Sequence, residues 1–527
     1  MIPTPSVWHD GGYMATLDND CVIACDQASR EVGALLRGWL APPTGWDLEL
    51  VDAASAEEVS AIRLITDEGP ASGPGDGGYS LHCDRSGVTV VGKGPAGTFY
   101  GVQSLRLLLP PETLRSAPMG NVPLAELRLP AGQIDDQPRF RWRGVHLDVA
   151  RHFFPKQWLL RLIELISLHK FNVLHLHLTD DQGWRLPVDR YPRLVEVGAW
   201  RAESMAGHRS EGRFDGVPHG GYYTKADLHE IVSYAARHFV TVVPEIDMPG
   251  HMQAAIAAYP ELGNLAEPVP VRASWGISNH ILNMERSTLD FCRHVIDEVV
   301  DIFPSRYVHL GGDECPTLEW ETSPSAQQRM SELGLSDERE LQGWFVGEMA
   351  AHLKDHNRIL VGWDEMVDAG APAGSVIMSW RGEAPGYLAA SLGHQVVMTP
   401  EYWTYLDWAY APGPAEPLAI RAATSVRRVH SFEAAPHFLG EDVRQNILGA
   451  QCQLWSEYVA DTAHAEYQYF PRLCAFADVT WSAHPGTYEN FEVRLRPHLA
   501  KLDALGVNYR PLAGPTPGQA RTWRAQP

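Results

Sequence analysis

Residues 307–314 read YVHLGGDE: a β-strand pattern, two glycines, then two adjacent carboxylates, Asp313 and Glu314. Hydrolases often need two carboxyl groups, one on each side of the bond to be cut, and different strands usually supply them. An adjacent pair calls for an explanation from its surroundings. Seven other apolar runs also end in polar or aromatic clusters. Arg151 and His152 follow 144–150, Asp180 and Asp181 close 171–181, and Glu245, Asp247 and His251 end 240–251. Trp363, Asp364 and Glu365 close 358–366, and Trp380 and Arg381 lie in 375–382. Tyr402, Trp403, Tyr405 and Asp407 end 395–407, and Trp455 and Glu457 end 446–457. Aromatics, carboxylates and an arginine without a phosphate cradle suit a sugar. Aromatic faces pack on the C–H surface of a pyranose, while charged groups take its hydroxyls through charge-assisted hydrogen bonds.

These clusters need a scaffold that gathers eight strand ends. From residue 140 onward, strand and helix patterns alternate; KQWLLRLIELISLHK (156–170), KADLHEIVSYAARHF (225–239) and TLDFCRHVIDEVVDIF (288–303) are three of the helices. Eight successive β-then-α units predict a (β/α)8 TIM barrel, whose C-terminal strand ends surround one mouth. An open doubly wound sheet rarely uses eight parallel strands in succession, and no glycine-rich fingerprint follows the first strand. The preceding residues read as a small α/β domain. YSLHCDRSGVTVVGKG gives two strands joined by a turn at Asp84 to Gly87, and AGTFYGVQSLRLLLP gives a helix stopped by Pro110. Frequent Pro and Gly over 110–138 suggest a linker. The expected domains are 1–135 (small α/β), 136–484 (barrel) and 485–527 (an amphipathic helix and Pro-rich tail packed on the barrel).

The chain of 527 residues carries 43 basic and 65 acidic residues, a formal charge of −22. That balance argues against nucleic acid or an anionic membrane as partner. No uncharged apolar run has spanning length, and the N-terminus shows no basic region followed by an apolar stretch. Seven scattered cysteines without a CxxC pair read as reduced thiols, so cytoplasmic residence is expected. His175 and His177 share one face of their strand, the spacing of a metal-binding pair in barrel hydrolases, with His251 and Asp313 as further candidate ligands. They lie several residues before the strand end at Asp181, too deep to meet ligands at the mouth, and are read as interior histidines. No metal or other cofactor is expected.

HLGGDE, together with LDVARHFFP, NVLHLHLTDDQGWR, PEIDMPGH, WDE, SWRG and LWSE in this order, resembles glycoside hydrolase family 20, the β-N-acetylhexosaminidases. GPAGTFYGVQSLRLLLP resembles the end of the small domain that precedes the barrel in that family. The resemblance implies a substrate-assisted mechanism, in which the 2-acetamido oxygen of the sugar attacks the anomeric carbon and forms an oxazolinium ion. No protein nucleophile is then needed. Glu314 would be the acid and then the base, with its pKa raised by a neighbouring charge and partial burial, and Asp313 would orient the acetamido N–H. By the same resemblance Asp180 and His251 form a supporting pair near Glu314. Arg151 would grip O3 and O4, Asp407 and Glu457 would take O4 and O6, and Trp363, Trp380 and Trp455 would wall the pocket. Tyr405, with Tyr402 as competitor, would donate to the acetamido carbonyl. The expected activity is exo-acting, retaining release of terminal β-linked GlcNAc or GalNAc from a small oligosaccharide or glycoconjugate. A catalytically dead sugar-binding barrel and a metal-dependent hydrolase are the alternatives, and the intact Asp313–Glu314 pair speaks against the first.

Overall fold

The computed structural model describes residues 1–55, 61–67, 77–118, 124–265, 267–421 and 424–524. The N-terminal part is one mixed sheet. Its strands are β1 (Val7–Asp18), β2 (Val22–Cys25), β3 (Leu50–Asp52), β4 (Ala61–Asp67), β5 (Tyr79–Asp84), β6 (Gly87–Lys93) and β7 (Glu126–Asp136), ordered β1-β7-β5-β6-β4-β2-β3. Helix α1 (Arg30–Thr44) buries Val32, Leu36 and Leu40, which recur at the spacing of one helical face. Helix α2 (Gly94–Leu108) is buried along nearly its whole length, because the sheet covers one side and the barrel the other. Phe99 meets Phe239, and Tyr100 meets Trp481.

The linker expected over 110–138 is corrected in its last part, because residues 126–136 form β7, paired with both β1 and β5. Pro130 and Gly132 disguise this strand. Pro130 stands opposite Met14 of β1, while the β5 pairing begins only at Gly132, so the missing proline N–H leaves the β5 ladder intact. Residues 119–123 of that stretch lie outside the described residues.

The barrel strands are β8 (Trp142–Asp148), β9 (Val173–Asp180), β10 (Thr241–Ile246), β11 (Tyr307–His309), β12 (Ile359–Trp363), β13 (Val376–Ser379), β14 (Gln395–Met398) and β15 (Ile447–Cys452). Each pairs in parallel with the next, and β15 pairs with β8, so the sheet closes on itself as a TIM barrel. Both faces of the strands are covered, which is why they read as near-continuous apolar runs. The ladders end earlier than the sequence patterns suggest. β11 stops at His309, before the glycines, and β14 stops at Met398, where Pro400 opens the short helix Glu401–Thr404. Asp313, Glu314, Tyr405 and Asp407 therefore stand on segments that leave the strands, while Asp180, Glu245 and Trp363 lie within theirs. Among the described residues no helix is long and apolar enough to cross a membrane.

The two parts meet on one carboxylate. Asp136, at the end of β7, accepts from Lys170 Nζ at 2.9 Å, from the Tyr79 hydroxyl at 2.7 Å and from Trp481 Nε1 at 2.9 Å. The Lys170 and Asp136 side chains are both fully buried. Removing one member of such a pair strands the other charge in a low dielectric. Lys170→Met should lower stability by about 3–5 kcal/mol in denaturant unfolding. Adding Asp136→Asn should recover part of that loss.

Candidate active site

The turn after β11 places the adjacent carboxylates through its backbone. Gly311 (φ +62°), Gly312 (φ +89°) and Glu314 (φ +45°) all lie in the left-handed region. A Cβ on Gly311 would stand 1.8 Å from Asp247 Oδ1, so only glycine fits there. Gly312 N–H donates to Asp247 Oδ1 at 3.0 Å, and Gln342 donates to the Gly312 carbonyl at 2.9 Å. Glu314 is a non-glycine residue held at positive φ, a strained conformation typical of sites where geometry matters more than comfort.

One imidazole faces both carboxylates. His251, also at positive φ (+54°), brings Nε2 to 3.8 Å from Glu314 Oε2 and 4.0 Å from Asp313 Oδ2. Its Nδ1 lies 3.1 Å from Asp180 Oδ1. The other oxygen of Asp180 receives Arg151 Nη2 at 2.8 Å. Arg151 also reaches Asp148 at 3.2 Å and Gln182 at 3.1 Å, and lies 5.1 Å from the centre of the Trp455 ring. Burial opposes charge on His251, but Asp180 above all holds the ring well above the ordinary histidine range, so it is cationic. Burial pushes the Asp247 carboxyl up to about 7. The Glu314 side chain is 36% exposed against 13% for Asp313. Burial, then the neighbouring Asp247, pushes the Asp313 carboxyl well above the ordinary carboxylate range.

These groups open onto a cleft of about 390 Å³ lined by Arg151, Asp313, Glu314, Trp380, Tyr405, Asp407, Trp455 and Glu457. Trp380 and Tyr405 stack with ring centres 6.4 Å apart. Asp313 Oδ1 and Asp407 Oδ1 are buried without a hydrogen-bond partner among the described residues, acceptors that a ligand's donors would satisfy. Burial and the nearby Glu457 raise Asp407 well above its ordinary range. A larger cleft of about 630 Å³ lies at the seam between small domain and barrel, but its lining holds no carboxylate.

Other residues singled out from the sequence fall elsewhere. Trp363 is 1% exposed and lies beneath the cleft rather than in its lining, with Nε1 donating to Glu245 at 2.9 Å. Asp180 and His251 are buried behind Arg151 and the carboxylates, outside the lining. Tyr402 is 49% exposed and accepts from Arg428, while Tyr405 faces the cleft. His175 and His177 are buried inside the barrel, His175 beside Gln451 and His177 between Glu245 and Asp180. The lining also includes Arg209, Ile277, Glu401, Trp408, Ile420 and Arg421, which the sequence reading missed. Trp408 follows Asp407 directly and had a signal in that adjacency; the loop residues had none.

A closed barrel with paired carboxylates, an arginine and stacked aromatics at its C-terminal mouth defines a glycoside hydrolase of the TIM-barrel class. The catalytic-domain model of glycosyl hydrolase family 20 matches residues 140–484, and the model of that family's domain 2 matches residues 1–137. The chain belongs to glycosyl hydrolase family 20. It is 39% identical over 435 residues to a beta-hexosaminidase of Porphyromonas gingivalis, covering 82% of this chain but only 54% of that protein. It is 34% identical to a beta-hexosaminidase of Akkermansia muciniphila, covering 84% of this chain and 87% of that one. Among solved structures, the family 20 beta-N-acetylhexosaminidase of Streptomyces coelicolor aligns with TM-score 0.83 at 32% identity, covering 98% of both chains. The exo-beta-N-acetylglucosaminidase of Vibrio harveyi, in complex with N-acetylglucosamine, aligns with TM-score 0.85 at 29% identity, covering 97% of this chain and 78% of that one.

The GGDE turn generates a direct test. Gly311→Ala should displace Asp247 and cost about 1–3 kcal/mol in thermal or chemical unfolding, whereas Gly347→Ala, mid-helix in open space, should not destabilise.

Proposed function

We propose that this protein is an exo-acting β-N-acetylhexosaminidase that removes terminal non-reducing β-linked GlcNAc or GalNAc by a retaining, substrate-assisted mechanism. The observation that carries this reading is the cleft itself: buried unpartnered acceptors on Asp313 and Asp407 face stacked aromatics, with Glu314 beside them. Asp313 accepts the acetamido N–H and, once ionised, stabilises the oxazolinium that forms as the acetamido oxygen attacks. Glu314 protonates the leaving oxygen and then activates water. Cationic His251 stands within 4.0 Å of both carboxylates, favouring ionised Asp313 at the start of the reaction. Tyr405 donates to the acetamido carbonyl. Arg151, Asp407 and Glu457 hold the ring hydroxyls and close the non-reducing end, while Trp380 and Trp455 wall the ring and Trp363 supports them from below. Asp180 positions Arg151 and His251. The substrate is a small oligosaccharide or glycoconjugate.

Rate should track the electron density of the acetamido oxygen. Mono-, di- and trifluoroacetyl analogues of a nitrophenyl N-acetylglucosaminide should react progressively more slowly, and chito-oligomers should release monosaccharide from the non-reducing end. Asp313→Asn should lower kcat by about 10²–10³-fold. Glu314→Gln should cost about 10²–10⁴-fold with poor leaving groups and much less with nitrophenolate. Because Asp313 must be ionised and its pKa is raised, kcat/KM should fall as pH drops through a limb above the ordinary carboxylate range. A sugar trapped covalently on either carboxylate would refute this mechanism.

Cytoplasmic residence is part of the proposal, supported by the absence of any disulfide among the described residues. Thiol titration of the denatured, unreduced protein should count close to seven; a count near one would overturn it.

A further inference from the structure

Beneath the cleft, the barrel interior carries a polar string that reaches the supporting pair from below. Glu245 Oε2 lies 2.6 Å from His177 Nδ1, and His177 Nε2 lies 2.7 Å from Asp180 Oδ2. The string continues through the 3.1 Å contact between Asp180 Oδ1 and His251 Nδ1. Exposure along it is at most 4%.

We propose that His177 is a positioning residue for this reaction: a standing imidazolium, clamped between Glu245 and Asp180, that fixes the Asp180 carboxylate so that its second oxygen meets His251. The role in catalysis rests on the hexosaminidase reading; the charge state does not.

Three observations support it. A neutral imidazole has one N–H, so its other nitrogen would press a lone pair against a carboxylate oxygen at under 2.8 Å. Both nitrogens therefore donate. Burial opposes the cation, and the two carboxylates, Glu245 first, more than offset it, so the ring stays charged well above the ordinary histidine range. His146, with its ring centre 6.1 Å away, and His175 face the same cluster; burial lowers the pKa of both, so they add no competing cation at neutral pH. Asp247, His309 and Arg151 also face the cluster: an Asp247 oxygen lies within 4.8 Å of His177 and Glu245, His309 Nδ1 lies 2.9 Å from Glu245, and Arg151 Nη2 lies 2.8 Å from Asp180.

Second, the backbone is arranged to make the clamp. Strict alternation would put Asp180, three residues on, across the strand from His177. The pairing of β9 with β10 slips here: His177 stands opposite Glu245, but Thr179 stands opposite the next residue, Ile246. Leu178 is the extra residue of this bulge, and it re-aims Asp180 to the interior. Third, Asp180 is fully determined only with His177 present. Its Oδ2 receives His177 and Arg151, and its Oδ1 receives His251 and the Asp181 N–H. Without His177, Arg151 alone would pull on Oδ2.

The test has two arms. ¹⁵N NMR of histidine-labelled enzyme should show His177 doubly protonated at a pH where ordinary histidines are neutral, and Glu245→Gln should let it titrate. Kinetically, His177→Gln should lower kcat about tenfold to a hundredfold with little change in KM, more for poor leaving groups than for nitrophenyl substrates. It should add little on top of Asp180→Asn, the non-additivity of residues acting through one group. A neutral His177 in the wild-type enzyme would overturn the proposal, as would losses that multiply with Asp180→Asn. If the wild-type protein hydrolysed no N-acetylhexosaminide, the functional reading would fall, while the NMR arm would still decide the charge state.

Discussion

The contact on which the site depends joins residues 308 apart in the chain: the Asp148 carboxylate, at the end of the first barrel strand, accepts the backbone N–H of Ser456, just past the last. The same carboxylate accepts the N–H groups of Ala150 and Arg151 and the Arg151 guanidinium. Ser456 in turn caps His152 through its hydroxyl. Closure of the barrel is thus stitched at the mouth by side chains as well as by the ladder between β15 and β8. Arg151 and Glu457 follow the first and last strands of the barrel and share one cleft only because that seam closes.

A second constraint is charge in a dry interior. Isolated buried ions cost several kcal/mol each, so they survive only in alternation. Here the order is anionic Glu245, cationic His177, anionic Asp180 and cationic His251, with Arg151 as a side branch. Beyond His251 stands Asp313, 4.0 Å from its Nε2, whose carboxyl is nonetheless raised by burial and by the neighbouring raised Asp247. The carboxylate that most needs a cationic partner is the one directed at the cleft. The interior order therefore leaves a demand for positive charge where the proposed oxazolinium would form.

Much of this was legible in the sequence because a parallel barrel writes itself as a repeated pattern. Each strand end could be read from an apolar run that breaks into polar residues, and glycines 311 and 312 flagged the turn that carries Asp313 and Glu314. What stayed hidden depended on distances across the fold. Strand β7 was masked by Pro130 and Gly132; Pro130 lies outside the stretch that β5 pairs, which begins at Gly132. Glu314 takes a positive φ that its residue type does not announce. Trp363 was expected as a wall from the family resemblance; its indole turns inward and donates to Glu245. Arg209, Ile277 and Arg421 come from loops that carry no periodic signal.

The division between those loops and the strand ends has a consequence of its own. Asp313, Glu314, Arg151 and Glu457 are set by the short turns that leave the barrel strands, whereas Arg209, Ile277, Ile420 and Arg421 reach the rim from longer loops, pinned back at single points such as Ser278 N–H to Asp181 and Arg421 to Glu401. Floor and rim are thus separately replaceable parts. Exchange of a rim loop alters what can dock outside the terminal ring and leaves the geometry of bond cleavage intact, so one chemical engine can be refitted for different leaving groups by changes that never touch it.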